Sequence, residues 1–146
     1  MIRPWLAIGS YRDTLNRVRL GQRQIGALLQ FAERTSYPHI DYLFLPIKDG
    51  EPVAREVLTQ GVGFVRAAHG RGLNVMVACG AGISRSATFA TAALHEIEGI
   101  DLLSAWQAIH RARPITLPHP LLWESLCAYY GHPIPIAQML RSARYG

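Results

Sequence analysis

Apolar residues fill Leu73 to Ala78 with only Asn74 interrupting them, the pattern of a strand covered on both faces. Further apolar stretches at Trp5–Gly9, Ile25–Phe31 and Asp41–Ile47 predict three more strands. Between the third and fourth of these, Val53, Val57, Gly61 and Val65 recur at every fourth position, so residues 52–69 read as a helix. Gly61 and Gly63 each weaken that helix by about 1 kcal/mol relative to alanine, so close packing against the sheet has to compensate. Gly70-Arg71-Gly72 stops it. From residue 84 onward the spacing is helical. Phe89, Ala93 and Ile97, with Ala90 and Leu94, mark a buried helix of mostly small residues over Ser84 to Glu98, ended by Gly99. Asp101 caps the next helix, in which Leu102, Trp106 and Ile109 share one face and Arg113-Pro114 closes the run. A last helix is predicted from about His119 to Tyr130, followed by a tail, Gly131 to Gly146, that turns at two prolines. Near the N-terminus, Thr14 to Gly26 mixes arginine with leucine, valine and isoleucine, as a half-exposed helix leading into a strand does. Ser36-Tyr37-Pro38-His39 is a turn set by its proline.

Composition narrows the class. A chain of 146 residues fits a single domain, residues 1–146, large enough to bury a core. It carries no low-complexity tract, no internal repeat and no apolar run of membrane-spanning length, and its N-terminus lacks a signal-peptide plan. The expectation is therefore a cytoplasmic protein without a membrane segment. Its two cysteines, Cys79 and Cys127, lie in neither a secreted-domain framework nor a zinc spacing, and no pair among the six histidines has metal-ligand spacing. The net charge of +5 comes from fourteen arginines and one lysine, Lys48. Such a surface steers anionic partners. Nucleic acid is disfavoured as a partner, because the arginines are scattered and no recognition motif accompanies them.

Candidate chemistry concentrates where the most apolar strand ends. Cys79 is followed by Gly80-Ala81-Gly82-Ile83-Ser84, then Arg85, Ser86 and a helix. Small residues let the backbone turn sharply and approach a bound group closely. The amides of residues 80–85 can then face inward at a helix N-terminus and cradle a tetrahedral anion, an inorganic phosphate or similar oxyanion. Arg85 adds a planar fork matched to two phosphate oxygens. A cysteine at the base of that positive field is favoured as thiolate.

Cys79-Gly-Ala-Gly-Ile-Ser-Arg85-Ser86-Ala-Thr resembles the signature loop of the cysteine-dependent phosphatases, Cys-x5-Arg-Ser/Thr, and its wording is most similar to that of the dual-specificity protein phosphatases. The resemblance extends along the chain through Ile8-Gly9-Ser10 near the first strand, Pro46-Ile47-Lys48-Asp49 after the third, and Arg113-Pro114 before the last core helix. It implies an α/β fold of three layers, a central, mostly parallel sheet of four to five strands flanked by helices. It also implies the roles. Cys79 is the nucleophile that forms a cysteinyl-phosphate; Gly80, Ala81, Gly82, Ile83, Ser84 and Arg85 bind the phosphate; Asp49 is the general acid; Ser86 hydrogen-bonds the sulfur. Asp49 stands just past a strand end, where α/β folds place functional groups; alone it also reads as a turn or cap residue for the next helix.

The implied activity is hydrolysis of phosphate monoesters, phosphotyrosine and phosphoserine or phosphothreonine of a phosphorylated protein. No cofactor or metal is expected, because the arginine and amides supply the positive field. The family usually has a histidine directly before the nucleophile. Here that position is Ala78, which cannot hydrogen-bond, so a less depressed cysteine pKa is expected. Three other readings stay open: a phosphoinositide or RNA 5′-phosphatase of the same fold, a phosphate-binding module without turnover, and an arsenate reductase. The phosphoinositide reading is weakened by the absence of lysine from Gly80 to Ser84, the RNA reading is kept open by the basic charge, and the arsenate reductase is weakened by Cys127 being the only other cysteine.

Overall fold

A computed structural model of the chain describes residues 1–145. Strands β1 (Leu6–Ser10), β2 (Ile25–Gln30), β3 (Asp41–Phe44) and β4 (Asn74–Cys79) form one sheet in the order β1-β4-β2-β3, with every pairing parallel. The most apolar strand is thus interior, hydrogen-bonded on both edges. Odd positions of β4 (Val75, Val77, Cys79) face one core, with Leu6, Ile8, Ala27 and Leu29; even positions (Met76, Ala78) face a second, with Ala7 and Leu28. This is the period-two alternation of a sheet with two covered faces.

The larger core holds α3 (Arg55–Gly70), α4 (Arg85–Glu98), α5 (Leu102–Ala112), α6 (Pro120–Tyr130) and α7 (Ile136–Tyr145) against one face. Two short helices, α1 (Tyr11–Thr14) and α2 (Arg17–Gln22), lie toward the smaller core through Leu20. The three-layer α/β expectation holds, with four strands. Among the described residues, no helix is long and apolar enough to cross a membrane.

Four local expectations need correction. The helix predicted within Thr14 to Gly26 is confined to α2, and a separate short helix, α1, precedes it, each with its own capping signal. The Ser10 hydroxyl accepts from Asp13 N while the Asp13 carboxylate accepts from Ser10 N, starting α1; Asn16 Oδ1 then accepts from Arg19 N and starts α2. The tail is not only a turn. Once Pro133 and Pro135 have reversed the chain, α7 runs back over α5, buries Met139, and takes the Trp106 Nε1 proton on the Met139 carbonyl at 3.3 Å. Of Gly61 and Gly63 in α3, only Gly61 is demanded by packing: a Cβ there would lie 2.5 Å from the Phe89 ring of α4, whereas Gly63 meets nothing within 4 Å. The compensation is thus chiefly against a helix and not against the sheet. Finally, β3 ends at Phe44, short of Ile47. Leu45 N and Ile47 N still donate to Gln30 O and Phe31 O on either side of Pro46, which has no N–H to give. These two bonds carry the chain straight to Asp49.

Register sets where the site is. Ser10 pairs with Cys79 and Gln30 with Ala78, so the carboxyl ends of three strands meet at one edge of the sheet. Open α/β sheets bind ligands at that edge.

Candidate active site

Cys79 is the last residue of β4 and is buried; the chain then turns through residues 80–84 into α4. All five loop carbonyls are engaged by donors lying outside the loop. Gly80 O accepts from Tyr11 N at 3.1 Å, Ile83 O from Leu117 N at 2.9 Å, and Ser84 O from Thr88 N and Thr88 Oγ1. Ala81 O and Gly82 O both accept from the Arg113 guanidinium, through Nη2 at 3.4 Å and Nε at 2.9 Å. Each of these carbonyls is antiparallel, across its trans peptide, to the N–H of the next residue, so with the acceptors held outward the amides of residues 81–85 turn to the concave side, and those of Gly82 and Ile83 reach the Cys79 sulfur. That is the arrangement of an anion-binding nest.

The sulfur sits in this amide field. Burial pushes the Cys79 thiol up, but hydrogen bonds from the Ser86 hydroxyl and from the backbone N–H groups of Ser86, Ile83 and Gly82 outweigh it, leaving the pKa below the ordinary thiol value. Cys79 Sγ and Ser86 Oγ are 3.2 Å apart, and Ser86 is fully buried in the first turn of α4. Ala78, in the place of the family histidine, faces the other side of the sheet with Met76 and Leu20. The thiolate is therefore favoured without it.

The lowered pKa has a defined pH signature. Alkylation of Cys79 by iodoacetamide should rise with pH to a plateau through an inflection below that of a free cysteine. In Ser86→Ala the inflection should move up, because the leading hydrogen bond to the thiolate is gone. An unmoved inflection would show that the amides suffice. Since the folded pKa is the lower one, this group's contribution to stability is fully present above the unfolded thiol pKa and is lost as pH falls through the folded one.

Arg85 and Asp49 close the bowl. Arg85 Nη1 donates to the Ile47 carbonyl at 2.9 Å, tying the loop to the segment that carries Asp49. Its Nη2 lies over Gly80, 3.3 Å from where a Cβ would stand. Arg85 Nε is buried, and among the described residues no atom accepts its proton. A second tie runs through Ser84, whose Oγ accepts from His119 N at 2.8 Å and donates to Asp49 Oδ1 at 2.6 Å. The exposed Asp49 carboxylate is thereby held against the loop. Cys79 and Ser86 thus touch directly, while Asp49 meets the loop at Ser84 and Arg85 meets the Asp49 segment at Ile47. Within the predicted binding set, Ser84 differs in detail, since its hydroxyl serves Asp49 and the α6 N-terminus and its carbonyl serves Thr88. The Ile83 side chain is exposed at the rim.

Arg113 was legible only as a helix terminator, yet it braces two loop carbonyls from 31 residues away. The Gly82 backbone is as constrained: its φ is +71°, and an added Cβ would lie 2.7 Å from Arg113 Nη2 and 2.9 Å from the Gly9 carbonyl carbon and oxygen. Gly82→Ala should therefore lower stability by at least about 2 kcal/mol, from left-handed strain plus a backbone collision. A urea midpoint unchanged from wild type would contradict this.

Residues 6–132 match the family model for the catalytic domain of dual specificity phosphatases. The chain belongs to the dual specificity phosphatase family. It is 30% identical over 120 residues to human dual specificity protein phosphatase 15, an alignment covering 80% of this chain and 41% of that protein. It is also 28% identical over 138 residues to human dual specificity protein phosphatase 5, covering 92% of this chain and 36% of the relative. The chain thus spans less than half the length of these curated relatives. The crystal structure of human DUSP28 superposes with a TM-score of 0.83 at 26% identity, covering 89% of this chain and 94% of that one. As the dual specificity phosphatase resemblance implied, fold and family agree along nearly all of the chain.

Proposed function

We propose that the chain, as one catalytic domain, hydrolyses phosphate monoesters on proteins, phosphotyrosine as well as phosphoserine and phosphothreonine, through a cysteinyl-phosphate. The observation that carries this reading is a buried cysteine favoured as thiolate, set in a loop whose amides face inward and to whose edge a carboxylate is hydrogen-bonded. Names of the relatives, dual specificity protein phosphatases, point to the same substrate class.

In the first step Cys79 Sγ attacks phosphorus and the bond from phosphorus to the ester oxygen breaks. Loop amides and Arg85 hold the three equatorial oxygens, over which charge spreads in the transition state. The unpartnered Nε–H of Arg85 suits this task, being already desolvated. Asp49, protonated, gives its proton to the departing alcohol or phenol. In the second step its carboxylate takes a proton from water as that water attacks the cysteinyl-phosphate, and the sulfur leaves as thiolate, accepting the Ser86 hydroxyl hydrogen bond. Inorganic phosphate and the dephosphorylated side chain are the products.

Acid quenching of turnover on a radiolabelled phosphotyrosine peptide should leave label bound to Cys79 in the wild type and none in Cys79→Ser. Label on another residue, or turnover with no labelled protein at any quench time, would falsify the covalent route.

A further inference from the structure

The turn between α5 and α6 is inside out. In Pro114-Ile115-Thr116-Leu117-Pro118 the polar threonine is buried, 1% exposed, while Ile115 and Leu117 on either side are 58% and 45% exposed. The threonine is inside because its polar groups are used there. Its amide and hydroxyl both donate to Arg113 O, and its carbonyl accepts from His110 Nδ1 at 3.1 Å. Nothing of the kind explains the two aliphatics. Together with Ile83 and Leu121 they make up four of the nine large apolar side chains that are exposed among the described residues, and the segment 113–121 that carries three of them is hydrogen-bonded to the loop through Arg113, Leu117 and His119. Leu117 N is bonded to the Ile83 carbonyl in the loop itself. Leu121 N is bonded to His119 Nδ1, and His119 N to Ser84 Oγ. Single exposed aliphatics need no explanation, but a cluster at the edge of a reactive site does.

Resting on the phosphatase reading above, we propose that Ile83, Ile115, Leu117 and Leu121 form an apolar shelf that takes an aliphatic or aromatic side chain flanking the phosphorylated residue of a protein substrate. A phosphorylated side chain that reaches Cys79 must bring its own main chain across the rim, so a substrate segment is the occupant whose position the bowl already dictates. Between residues 114 and 118 the shelf carries no charge and has a proline at each end. The partner surface is accordingly apolar, and the turn is stiff before it arrives, which reduces the ordering cost of binding.

The test compares two phosphotyrosine peptides, one with leucine on both sides of the phosphotyrosine and one with serine there, in wild type and in Ile115→Ser/Leu117→Ser. Wild type should favour the leucine peptide by about tenfold in kcat/KM, chiefly through KM, the scale expected for apolar side chains in a partly open contact. In the double variant the ratio should fall to about twofold. Because damage to the site lowers both peptides together, the ratio reports the shelf alone, and Ile115→Val/Leu117→Met should restore it. Equal rates on the two peptides in wild type, or an unchanged ratio in the double variant, overturn the shelf and leave the phosphatase reading standing. Absence of any Cys79-dependent turnover, on either peptide or on p-nitrophenyl phosphate, overturns both. A dimer in sedimentation velocity that the double substitution dissolves assigns the shelf to a second copy of the chain and overturns the substrate proposal.

Discussion

Cys79→Ser should lower turnover of p-nitrophenyl phosphate by on the order of 10⁴-fold or more while leaving the fold and phosphate affinity nearly intact. The two effects separate because the loop's shape does not depend on the sulfur. Its carbonyls are held by Tyr11, Arg113, Leu117 and Thr88, and none of those bonds involves the cysteine side chain. Serine fits the same buried space and can keep the Ser86 contact. What it cannot do is ionise: the four hydrogen bonds that lower the thiol pKa act on a group that starts near neutrality, and an alkyl hydroxyl starts far above it. Calorimetric titration with inorganic phosphate should give a Kd within a few-fold of wild type. Residual turnover within tenfold of wild type would mean that another nucleophile carries the reaction.

Asp49→Asn should show the second largest loss, about 10²- to 10⁴-fold in kcat on phosphoserine peptides, whose alkoxide is a poor leaving group. The substitution is informative because it is local. An asparagine Oδ1 still accepts the Ser84 hydroxyl, so the tie between the Asp49 segment and the loop survives, and only the capacity to give and take a proton is removed. In the first step p-nitrophenolate leaves without help. A smaller loss is therefore expected in the burst of p-nitrophenol than in steady-state turnover, where water must still be activated. Ser84→Ala is the complementary change: it keeps the acid and removes the tie, and should lower kcat by less than Asp49→Asn. Equal activity of Asp49→Asn and wild type on phosphoserine would exclude Asp49 as the acid and leave its carboxylate only the structural role of accepting from Ser84.

The nucleophile loop was legible residue by residue, because it is contiguous. A strand end, a run of small residues, an arginine and a helix start lie within twelve positions, 75–86, and each has a local signature. Most strands and helices were legible for the same reason: their periodicity is a property of neighbours in the chain. Where prediction went astray, a local signal had two readings. Ser10 follows the predicted first strand and also caps a short helix, and the prolines at 133 and 135 could end the chain's regular structure or merely reverse it into α7. Packing of Met139 beneath Trp106 decides for the second, and that contact spans 33 residues.

By itself, then, the sequence determined the family, the order of elements, and the candidacy of Cys79 as nucleophile with Arg85 and Asp49 beside it. Only the tertiary structure decided what aims them. Arg113, legible in sequence as the end of a helix, holds the Ala81 and Gly82 carbonyls outward; the Ser84 hydroxyl donates to Asp49; Ile47 receives Arg85; and the shelf beside the bowl is apolar because a threonine, not its neighbours, turns inward. The reason is physical. Local sequence sets which φ and ψ angles and which faces are favoured, whereas a hydrogen bond between residues 31 to 38 positions apart exists only after the strands and helices between them have closed the chain on itself.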